Sequence, residues 1–179
     1  MYILTIIGMV VAIVVVAIIL LALIAPKKYH VERSMIIKRP VKEIYKYLRF
    51  IKNQDEWSPW KKRDPEMKQT YIGTDGEVGF ISKWDSNHKQ VGSGEQEIKF
   101  LVSPTRIDSE LRFFKPWKSK SNGFFILTEI NPEKTEVTWG FEGTHKIPAN
   151  VFGLFFNMDK AVGKDFEEGL SELKRILEN

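Results

Sequence analysis

The stretch Asn150 to Leu177 reads NVFGLFFNMDKAVGKDFEEGLSELKRIL, and its spacing decides the fold. Val151, Leu154, Phe155, Met158, Val162, Phe166, Leu170, Leu173 and Leu177 recur every three or four residues. Asp159, Lys160, Lys164, Asp165, Glu167, Glu168 and Lys174 fall between them. That period belongs to an amphipathic helix with one apolar stripe. Taken as a single helix it would run about 40 Å, at about 1.5 Å per residue. A helix of that length needs a broad apolar surface to lie on, so the rest of the chain is read for one.

The surface is offered immediately upstream. From Met67 to His145 the chain is a series of strand-like runs broken by Gly73, Gly76, Gly79, Asn87, Gly92, Pro104, Pro116, Asn122 and Asn131-Pro132, a spacing that fits an antiparallel meander. Parity within the runs sorts the side chains. Phe80 and Trp84, then Ile98, Phe100 and Val102, then Ile107, Leu111 and Phe113, then Val137, Trp139 and Phe141 share one side of their strands. Lys83, Asp85, Glu97, Lys99, Asp108, Glu110, Arg112, Glu136 and Thr138 take the other. A sheet built this way faces core on one side and water on the other, and the long helix covers the apolar side. Before the meander, Tyr29 to Ile37 alternates as a strand. Pro40 then opens an amphipathic helix to about Lys52 (Val41, Ile44, Tyr45, Leu48, Ile51), and Trp57-Ser58-Pro59-Trp60 follows a short polar stretch.

The first 25 residues carry no charged side chain, whereas the 154 that follow hold all 27 basic and 23 acidic residues. Ile3 to Ala25 would form a helix of roughly 35 Å, enough to cross the hydrocarbon of a bilayer. In lipid a helix satisfies its own backbone, which decides against a strand despite the β-branched content. A cleaved signal peptide is the competing reading. Three features oppose it: no Lys or Arg precedes the run, the run exceeds the roughly 7 to 15 residues of a signal core, and Leu23-Ile24-Ala25-Pro26 lacks the small-x-small cleavage pattern. Residues 1–26 are therefore expected to be a transmembrane anchor and 27–179 one domain. Lys27, Lys28, Arg33, Lys38 and Arg39 all follow the span, which places the domain in the cytoplasm.

The chain has no cysteine, which excludes disulfides, thiolate catalysis and Cys-based metal or iron-sulfur sites. The net charge of +4 is modest and dispersed, with Lys61-Lys62-Arg63 as its densest run, so no nucleic-acid partner is expected and the basic face is read as solvated, near anionic lipid.

A strand, one or two short helices, about six antiparallel strands and a long C-terminal helix follow the order of the helix-grip fold. Several stretches strengthen the likeness: Tyr29 to Ser34, the Pro40-Val41 helix start, Trp57 to Trp60, Val91-Gly92-Ser93-Gly94, Val137-Thr138-Trp139, and Phe156 to Lys160 leading to Gly163 to Leu170. Together they resemble the membrane-anchored bacterial members of the SRPBCC superfamily, the START-like proteins often labelled polyketide cyclase/dehydrase. The resemblance implies an α+β helix-grip fold, a curved antiparallel sheet wrapped around the C-terminal helix after one transmembrane helix. It also implies an apolar cavity between sheet and helix that serves lipids, sterols, polyketides or hormones across the superfamily. It fixes neither the ligand nor an activity.

The residues themselves show little catalytic equipment. His30, His88 and His145 are too scattered for a triad or a metal cluster, and no HExxH, Walker A, nucleophile elbow or dinucleotide fingerprint occurs. Glu95, Glu97, Arg112 and Glu142 read as solvated strand charges. Asp159 reads as a pairing residue on the helix surface, facing Lys160, the backbone near Gly163 or Lys164. The aromatic load is the positive sign: Trp57, Trp60, Trp84, Phe113, Trp139, Phe155 and Met158 are expected to converge between sheet and helix. There they either fill a core or line an apolar pocket. Phe152 and Phe156 share a further face, which would gate that pocket, dip into the bilayer or pack under the 146–149 loop. The expected function is membrane-tethered binding of a hydrophobic small molecule or lipid, with no metal or cofactor. A cofactor-free cyclase or dehydrase is the alternative, and an interaction domain with a filled core is the third reading.

Overall fold

The protein is described from a computed structural model that defines residues 2–155 and 157–179, apart from the side chain of Phe152. After the N-terminal helix α1 (Tyr2–Ile24) come β1 (Lys28–Ile37), α2 (Val41–Leu48), α3 (Gln54–Trp57) and α4 (Pro59–Arg63). The meander follows as β2 (Lys68–Ile72), β3 (Ile81–Asp85), β4 (Ser93–Val102), β5 (Arg106–Lys115), β6 (Ser119–Asn131) and β7 (Lys134–Thr144). A 3-10 turn at Ala149–Leu154 leads to α5 (Met158–Glu178). The seven strands form one antiparallel sheet in the order β1-β7-β6-β5-β4-β3-β2. The first strand closes against the last by a pairing that runs from Lys28 opposite Thr144 to Ile37 opposite Thr135.

The core sits where β1, β7 and β6 meet α2 and α5. Ile37, Val41, Ile44, Leu48, Trp57, Phe125, Leu127, Val137, Leu170 and Leu173 are buried in one cluster. Each fully buried aliphatic or aromatic side chain there contributes about 1.5–3 kcal/mol through removal of apolar surface from water. Helix α2 turns its Val41, Ile44, Tyr45 and Leu48 face inward, the face its spacing foretold. Pro40 precedes its first turn, where a missing N–H costs nothing.

Helix α1 is 23 residues long and buries only Ala22, so it projects from the domain instead of packing along it. It is one helix long and apolar enough to cross a membrane, and a signal sequence would have the same length and composition. Its end is nevertheless fastened. The Asn150 side-chain amide, itself buried, donates to the carbonyls of Ala22 (2.7 Å) and Ala25 (3.1 Å), two of the acceptors that a helix C-terminus leaves without intrahelical partners. The His145 N–H donates to Lys27 O at 2.7 Å and continues the attachment into the sheet.

Two expectations need correction. The C-terminal stretch is not one helix from Asn150: α5 begins at Met158, because the Asn157 side chain caps it by accepting from the Lys160 N–H at 2.8 Å. Strand β4 also departs from simple alternation. Ile98 pairs with Ser109 while Phe100 pairs with Asp108, so Lys99 is a bulged extra residue and the side-chain parity reverses after it. Leu101 therefore packs inward, whereas Phe100 and Val102 face solvent, Phe100 with 56% of its surface exposed.

Candidate functional site

The side chains singled out above fall into three groups. Trp139, on β7, stands at the centre of the first. Its ring stacks on Phe166 of α5 at 4.2 Å and on Phe125 of β6 at 5.6 Å, and it meets Trp57 and Trp60 edge-on at 5.0 and 5.7 Å. Ser58 and Pro59 turn the chain between α3 and α4, which is how two tryptophans three residues apart reach the same partner. Trp57 is fully buried, and among the described residues its indole N–H has no acceptor.

Trp84 and Phe113 form the second group. They meet edge-on at 5.9 Å across Gly94, which faces both. They are half-buried on the inner face of β3 to β5 and lie apart from the Trp139 cluster. The sequence placed them in one convergent set, but α5 packs chiefly on β1 and leaves that part of the sheet to them.

Phe155 and Met158 belong to the third. The break before α5 leaves Phe155 81% exposed, while Met158 packs beside Val31, Phe141 and Phe166. Both line an open cleft of about 450 Å³ between the start of β1 and the segment that enters α5. Tyr29, Val31 and Met158 make its apolar wall, Leu154 and Phe155 its lip, and Lys28, His30, His145, Asn157 and Asp159 its polar rim. Phe156 and the Phe152 side chain, expected to gate such a space or enter the bilayer, lie outside the described residues.

The rim is electrostatically organised. His30 lies 3.0 Å from Glu32 and 3.3 Å from Glu142, its partner across the β1–β7 pairing. The hydrogen bond to Glu32 pushes its pKa above the ordinary histidine value, against a smaller effect of burial and with help from Glu142. Asp159 pairs with Arg33, not with the lysines of its own helix: Arg33 Nη1 donates to Asp159 at 2.8 Å and Nε to Glu167 at 2.7 Å. Arg33 holds the Asp159 carboxyl below the usual range. This arginine clamps α5 to the sheet edge from an inward position on β1, where the position opposite is Trp139. Arg33, Tyr29, His30 and His145 were not chosen from the sequence. The signal lay in the β1–β7 pairing, which sets Tyr29 and His145 ring to ring at 4.7 Å.

The other strand charges are on the outer face, as parity predicted. Arg112 reaches Glu95, Glu97 and Glu110 at once, with Lys83, Lys99 and Lys120 around them. Among the described residues no three His, Asp or Glu side chains gather as metal ligands.

No protein-family model and no curated protein matches this sequence. The likeness to known proteins is in three dimensions. The truncated norcoclaurine synthase of Thalictrum flavum superposes with a TM-score of 0.62 at 7% identity, over 86% of this chain and 96% of that one. The Aha1 dimer protein of Colwellia psychrerythraea gives 0.58 at 16% identity, over 84% and 96%. A conserved protein from Geobacillus kaustophilus gives 0.59 at 17%, over 83% and 94%. With its seven-stranded antiparallel sheet and long C-terminal helix, the chain has the START-like helix-grip fold, preceded by an apolar N-terminal helix.

Proposed function

We propose that this is a single-pass membrane protein of the cell membrane whose cytoplasmic domain, residues 27–179, binds a hydrophobic small molecule or lipid. The observation that carries the reading is the cleft of about 450 Å³, a size typical of small-molecule sites, opening where the chain leaves α1. Its back wall is the outer side of the Trp139 cluster, since Met158 and Val31 touch both. Phe155 and Met158 make the first contact with the apolar part of the ligand. Trp60 and Trp139 form the surface behind them and Trp57 backs that surface in the core, while Trp84 and Phe113 stand apart from this cleft on β3 and β5. The exposed Lys28 at the polar rim suits a head group with an acceptor or a negative charge. Lys27 and Lys28 directly after the span support the cytoplasmic assignment. Tethering supports the ligand class, because a domain held at a bilayer meets lipid at high local concentration and needs little affinity to sample it.

The fold also hosts a norcoclaurine synthase, solved as a point mutant with a transition-state analogue bound, so the architecture admits small molecules. Its reaction is not carried over at 9% identity. His30 and Asp159, which line this cleft, are half-exposed and held in ion pairs, which favours binding over acid–base chemistry.

The test is native mass spectrometry of the full-length protein released from membranes. It is expected to carry a lipid or isoprenoid-like adduct that Phe155→Ser together with Met158→Ser removes. Absence of any adduct, with tryptophan emission unmoved by fatty acid, quinone and polyketide-like probes, would leave a filled interaction domain in its place. Carbonate extraction tests the anchor separately: retention supports a span, and a mature N-terminus near Pro26 would show a cleaved signal.

A further inference from the structure

The strand register brings several exposed apolar side chains to one end of the domain. Tyr29, Gly143, Ser121 and Leu111 face one another across β1, β7, β6 and β5. From that row, four residues back along β1 lie at Ala25, four residues on from Gly143 lie at Ile147, and four back from Ser121 lie at Trp117. All three therefore lie beyond the strand ends on the same side of the sheet. Strands β1 and β6 are two places apart, a separation of about 10 Å, so the hairpin that carries Trp117 leaves the sheet close to where α1 enters it.

What stands at this end is unlike the rest of the surface. Trp117, at the tip of the β5–β6 hairpin, is 81% exposed, although the other four tryptophans are buried or half-buried. Ile147, Leu154 and Phe155, on the segment that Asn150 fastens to α1, are 53%, 44% and 81% exposed. Lys27, Lys28, Lys118 and Lys146 flank them along the chain and Lys89 stands on the β3–β4 turn at the same end of the sheet, all exposed. Lys115 and Lys120 in the same hairpin answer Asp85 and Glu110. Exposed aromatic rings among lysines, beside an apolar helix that projects away from the domain, have the composition of a membrane interface.

We propose that this end of the domain is a second membrane contact. The β5–β6 hairpin tip with Trp117, and the 147–155 segment with Phe155, rest in the head-group region of an anionic leaflet around the exit of α1. The Asn150 bonds to Ala22 and Ala25 hold the end of α1 against that segment, so the apolar side chains meet the bilayer at the depth where the helix leaves it. The lysines then select anionic over zwitterionic lipid, each contributing about fivefold to the ratio of docked to lifted domain. This rests on α1 being a membrane span, and it adds that the ligand cleft, whose lip is Leu154 and Phe155, opens toward lipid and not toward the cytosol.

The test uses the full chain in vesicles of phosphatidylcholine alone, or with an equal part of phosphatidylglycerol, containing brominated acyl chains as quenchers. Comparing the parent with Trp117→Phe isolates the emission of Trp117. Expected are quenching of that component, stronger with phosphatidylglycerol and weakened by salt, and a loss of about fivefold in the docked ratio for Lys118→Gln. If the protein stays with the vesicles while Trp117 escapes quenching in both lipids, the contact is overturned, the anchor stands, and the patch is free for a protein partner. If the protein leaves the vesicles altogether, the anchor reading fails first. Equal quenching in the two lipids would overturn the anionic preference alone.

Discussion

Gly169 of α5 lies flat against the indole of Trp139, so close that a Cβ at position 169 would stand 2.7 Å from Cζ3. The ring cannot retreat, because Phe125, Phe166 and two further tryptophans hold it on its other sides. Gly169→Ala gains about 1 kcal/mol of helix propensity but overpacks a fixed ring, which costs about 1–3 kcal/mol. A net loss of stability is expected in urea unfolding of the full-length protein in detergent. Gly163 provides the contrast. A Cβ there would meet the far end of Arg33, which can swing into water. Gly163→Ala should leave stability unchanged or raised, while the Asp159 carboxyl, no longer held by Arg33, titrates closer to the ordinary range by NMR.

Trp139→Ala removes the centre of the aromatic cluster and should cost about 3–5 kcal/mol, since a large core side chain is deleted with little room for collapse. If the cavity so formed joins the cleft behind Met158, a hydrophobic ligand will recover part of the loss through mass action. The check is the shift in unfolding midpoint with added fatty acid, compared between variant and parent. No shift in either would count against ligand binding.

His30, held between Glu32 and Glu142 on the outer side of β1, gives the β1–β7 pair a pH dependence. Its pKa is raised in the folded protein by Glu32 first and Glu142 second, so the stabilisation is complete below the unfolded value of about 6.5. It is lost as the pH rises through the folded value. NMR titration should place His30 above an exposed histidine, and Glu32→Gln should lower it.

The Arg112 cluster on the outer face behaves in the opposite sense. Arg112 chiefly holds Glu97 below the usual carboxylate range, and Lys120 chiefly does so for Glu110. Their contribution is present above about pH 4.5 and fades as the pH falls through the depressed folded values. Arg112→Met leaves three neighbouring carboxylates without their shared donor, at a loss of about 1–3 kcal/mol at neutral pH. Acid should then narrow the difference between variant and parent, because protonation relieves the repulsion. Urea midpoints at neutral pH and near pH 4 measure it.

Periodicity carried most of the architecture. The alternation in β5 and β7 put Ile107, Leu111, Val137, Trp139 and Phe141 on the inner face, and the three-to-four spacing put Phe166, Leu170 and Leu173 beneath α5. It failed where one residue changes the phase. Lys99 is such a residue, and nothing in Ile98-Lys99-Phe100-Leu101 distinguishes a bulge from a regular strand until Leu101 is seen against Ile107. The start of α5 was legible but missed: Asn157 is an N-cap residue type, and the apolar run before it obscured the stop. The cleft was the least accessible feature. It is assembled from β1 and the 145–159 segment, more than a hundred positions apart in the chain, and the pairing of β1 with β7 brings Tyr29, His145 and Met158 together.

Asn150 makes anchor and domain poor candidates for exchange. Its two hydrogen bonds end on backbone carbonyls, and the residues that carry them, Ala22 and Ala25, are themselves buried, which leaves little room for a larger side chain at either position. A chimera carrying a foreign span with leucine or phenylalanine at those positions would still insert in a membrane. It would do so on a swivel, and whatever depends on the angle between helix and sheet would be lost without a single residue of the domain having changed.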